Sequence, residues 1–135
     1  MPERILLLED DKYIRELISM KFSLEKLEVE IAKTINEALE LIKTKSWSVI
    51  IVDIMFPTRS GVDIAEYILE NKMKVPFIFI SAKNRAVFLD EFKESIAQYP
   101  KIEQAAYIMK PFDLDFLVKK IRESIVKYKD EDKEK

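Results

Sequence analysis

Five short apolar runs, each followed by a longer stretch with apolar residues at helical spacing, constrain this chain more than any other feature. The first run is Ile5-Leu6-Leu7-Leu8, and Ile14, Leu17, Ile18 and Phe22 follow on one helical face. Val29-Glu30-Ile31-Ala32 alternates in polarity as an outer strand does, and the next helix carries Ala38, Leu39, Leu41 and Ile42, with Asn36 as its expected cap. Val49 to Val52 is apolar throughout, the pattern of a strand buried on both faces. Gly61, the chain's single glycine, leads into a helix with Ile64, Ala65, Ile68 and Leu69. Pro76 opens the run Phe77-Ile78-Phe79-Ile80, where a missing N–H is tolerated. One long helical segment is expected next, with Phe88, Phe92 and Ile96 on one face. Ala105 to Met109 reads as the fifth strand, and after Pro111 a last helix buries Leu114, Leu117, Val118, Ile121 and Ile125.

Strand followed by helix, five times over, specifies an α/β fold: a five-stranded parallel sheet with helices on both faces and right-handed crossovers. At 135 residues the chain fits one compact domain. Every strand–helix loop then lies at the carboxyl edge of the sheet, where ligands of such proteins bind at the point of strand-order reversal. Glu9, Asp10 and Asp11 follow the first strand, Asp53 and Met55 the third, Ser81 the fourth, and Lys110-Pro111 the fifth. Capping of the first helix accounts for the acidic run Glu9-Asp10-Asp11 taken alone. It does not account for Asp53, which ends an apolar strand and is costly to bury without a partner.

Composition narrows the chemistry. There is no cysteine and no histidine, so disulfides, thiol nucleophiles and imidazole acid–base catalysis drop out. A metal here must be held by oxygen, which suits Mg²⁺, Ca²⁺ or Mn²⁺. The formal net charge is −2, from 23 basic and 25 acidic residues, so no positive field exists to hold a nucleic-acid backbone. No run approaches a membrane span or signal peptide, and the expected location is cytoplasmic.

The ordered pieces resemble the receiver domain of two-component response regulators, the CheY-like superfamily. They are Arg4-Ile5-Leu6-Leu7-Leu8-Glu9-Asp10-Asp11, Asp53-Ile54-Met55-Phe56-Pro57, Gly61, Ser81-Ala82 and Tyr107-Ile108-Met109-Lys110-Pro111-Phe112. The resemblance implies the flavodoxin-like strand order 2-1-3-4-5. It implies a receiver domain over residues 1–128, with 129–135 as a charged tail that frays. It also implies the roles. Asp53 would accept a phosphoryl group from a phosphohistidine of a partner sensor histidine kinase or phosphotransfer protein. Asp10, Asp53 and the backbone carbonyl of Met55 would ligate Mg²⁺ (or Mn²⁺), with Glu9 acting through a water. Lys110 and Ser81 would contact phosphoryl oxygens, and Ser81 with Tyr107 would form the switch. A cis Lys110–Pro111 bond is part of the resemblance, although Pro111 as the first residue of a helix is equally adequate physically.

The expected output is an altered surface of the fourth helix, fifth strand and fifth helix that binds a downstream protein. The expected form is a single-domain regulator, monomeric or a weak dimer. No direct nucleic-acid binding is expected, and no enzymatic activity beyond its own phosphorylation and dephosphorylation. Two departures from the family pattern bear on that surface. The stretch between Ser81 and Lys110 is longer than usual, and Glu103-Gln104-Ala105-Ala106 stands where Gly-Ala-Asp-Asp is usual. A haloacid-dehalogenase-type hydrolase would need a second acid where Met55 stands, and a nucleotide binder would need a glycine-rich loop. The remaining alternative is a receiver-like interaction scaffold that phosphorylation does not regulate.

Overall fold

The computed structural model describes residues 2–54 and 60–133. Its strands are β1 (Arg4–Leu8), β2 (Glu28–Ala32), β3 (Val49–Asp53), β4 (Phe77–Ser81) and β5 (Ala106–Met109). All pairings are parallel, in the order β2-β1-β3-β4-β5. The chain steps from β1 to one side for β2 and then returns to the other side for β3. The order therefore reverses between β1 and β3, and that is where Glu9, Asp10 and Asp53 leave the sheet.

Side chains alternate across the sheet, and the two faces bury separate clusters. Ile5, Leu7, Val49, Ile51, Ile78, Ile80 and Ile108 pack against α1 (Lys12–Leu24) and α7 (Leu114–Lys133) through Ile18, Phe22, Leu117, Val118 and Ile121. Leu6, Leu8, Ile50, Val52, Phe77 and Phe79 pack against α2 (Ile35–Thr44) and α3 (Val62–Glu70) through Ala38, Ile42, Ile64, Ala65 and Ile68. Each fully buried aliphatic contributes about 1.5–3 kcal/mol relative to exposure, so the uninterrupted apolar strands dominate the core.

Several elements differ from expectation in informative ways. The cap of α2 is Thr34, whose hydroxyl accepts the Glu37 N–H at 3.0 Å; Asn36 lies inside the helix. Thr34-x-x-Glu37 has capping-box spacing, and that pairing places the helix start. The single long segment after β4 is three short helices: α4 (Arg85–Glu91), α5 (Lys93–Gln98) and α6 (Lys101–Gln104). Phe92 breaks the first junction with non-helical φ −109° and ψ 25°, and Pro100, which lacks an N–H, opens the last helix. Phe88 is buried, while Phe92 and Ile96 are half-buried against the same cluster. The helix expected as the fifth is therefore α7. It begins after Asp113, whose carboxylate accepts the Asp115 N–H at 2.7 Å, so Pro111 is not a helical residue. Residues 129–133, expected to fray, continue α7 to Lys133. The buried turns at Ile121 and Ile125 supply the nucleus, and the charged extension Lys129-Asp130-Glu131-Asp132-Lys133 then adds one hydrogen bond per residue. Among the described residues, no helix is long and apolar enough to cross a membrane.

Candidate functional site

At the carboxyl edge, β1 delivers Glu9 and Asp10, β3 delivers Asp53, β4 delivers Ser81, and the turn after β5 delivers Lys110. Glu9, Asp53 and Ser81 are the three buried polar side chains among the described residues, whereas Asp10 is exposed. One carboxylate oxygen from each of Glu9, Asp10 and Asp53 lies within 4.8 Å of the others. The Lys110 ammonium is 2.8 Å from Asp53 Oδ2 as a hydrogen bond and 2.8 Å from Glu9 Oε1. The second contact is an ion pair without hydrogen-bond alignment, and Glu9 Oε1 has no aligned donor. Glu9 Oε2 accepts the backbone N–H groups of Asp10 at 3.0 Å and Asp11 at 3.5 Å.

The electrostatics follow from this crowding. Burial first, and then the neighbouring Asp53 carboxylate, push the Glu9 acid up to about 7 against the pull of Lys110. Burial would lower the Lys110 ammonium, but Asp53 and Glu9 outweigh it and hold its pKa above the ordinary lysine value. One ammonium thus contacts two of the three grouped carboxylates, Glu9 and Asp53, and one buried carboxylate oxygen lacks an aligned partner. That donor set fits a hard divalent cation, which takes oxygen ligands and supplies the missing positive charge.

Two backbone features place these groups. Lys110 N–H donates to the Ser81 carbonyl at 2.7 Å, which brings the β5 turn alongside the end of β4, and the Lys110–Pro111 bond is cis. Gly61 packs directly under the strand end that carries Asp53. A Cβ there would sit 2.2 Å from the Asp53 carbonyl oxygen and 2.5 Å from Val52 Cγ1, so only hydrogen fits.

The remaining residues singled out from the sequence divide. Asp11 is the N-cap of α1, its Oδ1 accepting the Ile14 N–H at 3.0 Å. Met55 lies outside the described residues. Tyr107 sits away from the acidic cluster: its hydroxyl donates to the Lys83 carbonyl at 2.6 Å, and its ring centroid is 5.0 Å from that of Phe88. Ser81 Oγ accepts the Lys83 N–H at 3.1 Å, so Lys83 links Ser81 to Tyr107 through its two backbone groups. Sequence reasoning passed over Lys83, because backbone hydrogen bonds leave no mark on residue type. It also passed over Arg15, whose Nη1 donates to the Asp10 carbonyl at 2.8 Å and the Glu9 carbonyl at 3.4 Å. A cation in the first turns of a helix was the available signal.

A parallel sheet of order 2-1-3-4-5, with an acidic cleft and a lysine at its switch point, defines a flavodoxin-like α/β protein of the CheY type. The chain belongs to the response regulator receiver domain family, whose sequence model matches residues 5–122. It is similar to the transcriptional regulatory protein DltR of Streptococcus agalactiae, 31% identical over 124 residues that cover 88% of this chain and 50% of that protein. The chain thus spans about half the length of the curated relatives it matches. Among solved structures it resembles a CheY-like response regulator receiver domain protein from Methanospirillum hungatei. That likeness has 27% identity and a TM-score of 0.82, and it covers 97% of this chain and 99% of that one. It also resembles the response regulator TrrA of Thermotoga maritima, solved in complex with Mg²⁺–BeF. There the identity is 27% and the TM-score 0.71, with 90% of this chain and 97% of that one covered.

Proposed function

We propose that the chain is a phosphoacceptor of a two-component system, with Asp53 taking a phosphoryl group from the phosphohistidine of a partner kinase or phosphotransfer protein. The observation that carries this reading is the buried Asp53 carboxylate in contact with Lys110 and grouped with Glu9 and Asp10. In the step, an Asp53 carboxylate oxygen forms a bond to phosphorus as the donor's phosphorus–nitrogen bond breaks. The imidazole departs with the bonding pair and picks up a proton. A carboxylate is a weak nucleophile, so positioning and charge neutralisation supply the rate.

The Glu9, Asp10 and Asp53 carboxylates fit Mg²⁺ (or Mn²⁺): Asp10 and Asp53 would hold it directly and Glu9 through a water, and the family resemblance adds the backbone carbonyl of Met55. The cation would offset charge on the phosphoryl oxygens and on Asp53. Lys110 transfers its ammonium from Asp53 to a phosphoryl oxygen, and Ser81 donates its hydroxyl proton to another. That donation draws Ser81 Oγ away from Lys83 N–H. Because the Lys83 carbonyl holds Tyr107, the change reaches α4, β5 and α7, the surface assigned to a downstream protein. The domain acts in the cytoplasm, where its kinase partner presents the phosphohistidine.

Intact mass tests the reading. The protein would be incubated with Mg²⁺ and acetyl phosphate beside Asp53→Asn and EDTA controls. One added phosphoryl group, lost in both controls, is expected. An unchanged mass, with Mg²⁺ binding established by calorimetry, would instead favour a scaffold that phosphorylation does not regulate.

A further inference from the structure

We propose that Arg15 is a positioning residue for the cation pocket, clamping the two peptide groups that aim the Glu9 and Asp10 carboxylates. The inference rests on the reading of Glu9, Asp10 and Asp53 as a divalent-cation site. Arg15 occupies the fourth residue of α1, near the helix N-terminus, where the macrodipole disfavours a positive charge. Helix electrostatics therefore gives no reason for a cation at this position.

The backbone does give one. β1 ends at Leu8, so the carbonyls of Glu9 and Asp10 lie past the sheet ladder and before the helix. Among the described residues, the donor that reaches them is Arg15, through Nη1 at 3.4 Å to Glu9 and 2.8 Å to Asp10. The N–H groups of the same two peptides point the other way, into Glu9 Oε2 at 3.0 and 3.5 Å. Each peptide plane is thus held on both edges, by a guanidinium on one side and the Glu9 carboxylate on the other. Rotation of either plane would turn the Glu9 carboxylate or the Asp10 Cα–Cβ bond, and with it the convergence of oxygens within 4.8 Å. Groups that orient metal ligands in this way typically govern affinity by 10–100-fold.

Two physical effects of Arg15 have opposite signs, which makes the proposal decidable. As a nearby positive charge it repels a divalent cation, so its removal would tighten binding. As a clamp it holds the ligands in place, so its removal would loosen binding. Arg15→Met keeps the apolar stem and deletes the donors; Arg15→Gln keeps a shorter, neutral donor; Arg15→Lys keeps the charge without the fork.

Mg²⁺ titration calorimetry on the full chain would be run for the wild type and the three variants. Urea unfolding and amide hydrogen exchange in EDTA would accompany it. The expected result is a dissociation constant raised about tenfold or more in Arg15→Met, partly recovered in Arg15→Lys. Exchange at the Asp10 and Asp11 amides should accelerate while that of β3 stays unchanged. An equal or lower dissociation constant in Arg15→Met overturns the proposal and leaves only the repulsive charge. Global unfolding of both the Met and Gln variants also overturns it, since Arg15 would then be holding the fold. A wild type that binds no Mg²⁺ overturns the underlying cation-site reading, an outcome distinct from either.

Discussion

At single residues, this chain places its one glycine against the strand end that carries Asp53. Gly61 has an ordinary φ of −61°, so it is required for space and not for backbone freedom. Gly61→Ala would push a methyl group into the Asp53 carbonyl and Val52 and force β3 or the following helix to shift. Overpacking of this kind costs about 1–3 kcal/mol, readable as a lower urea midpoint. A melt matching the wild type would show that the contact relaxes freely. With glycine used there, the positions after α1 and α3 fall to lysines with left-handed φ, Lys26 at 58° and Lys72 at 53°. Both close Schellman motifs: Leu27 N–H donates to the Phe22 carbonyl and Met73 N–H to the Ile68 carbonyl, each at 2.9 Å. Lys72→Gly should therefore stabilise the protein by roughly 1 kcal/mol, because glycine carries no Cβ penalty there. Equal or lower stability in a urea melt would count against that strain. Neither lysine was legible as a helix stop, since the usual marker is glycine or asparagine. Asp53, Glu9, Ser81 and Lys110 were legible, because a polar residue at the end of an apolar strand stands out by type.

Among elements, the segment between β4 and β5 shows most clearly where periodicity stops being informative. Phe88, Phe92 and Ile96 recur at four-residue spacing, and they do face one cluster, yet α4 and α5 are separate helices that break at Phe92. Ile102 on α6 is buried with them, flanked by Tyr99 and Ala105 on the same cluster. The anchor of the segment is Phe88, whose ring centroid lies 5.2 Å from Phe79, 5.4 Å from Phe92 and 5.0 Å from Tyr107. Phe88→Ala should cost about 3–5 kcal/mol by opening a cavity beneath α4, and it should free the Tyr107 ring from one side. Urea melts would measure the first, and near-ultraviolet circular dichroism of the tyrosine band the second. A loss below 1 kcal/mol would mean that the short helices collapse around the gap and that Phe88 is not their anchor.

Across the whole molecule, the sheet concentrates negative charge at one edge, and a bound cation should appear as stability. If the site takes Mg²⁺, a concentration one hundredfold above its dissociation constant adds about 2.7 kcal/mol to unfolding, reversed by EDTA. Superimposable melts with and without Mg²⁺ would leave the acids as capping and ion-paired groups only. The strand–helix alternation, the two-faced burial of the central strands and the polar residue at each strand end can all be read along the chain. Those properties depend on local period and residue type, which are written along the chain. The convergence arises only on folding: the Lys110 ammonium on Asp53 and Glu9, the Lys83 bridge from Ser81 to Tyr107, and Arg15 on two carbonyls. These contacts run between distant strand ends or through backbone atoms that every residue shares. No spacing or composition encodes them until the parallel sheet brings its carboxyl edge together.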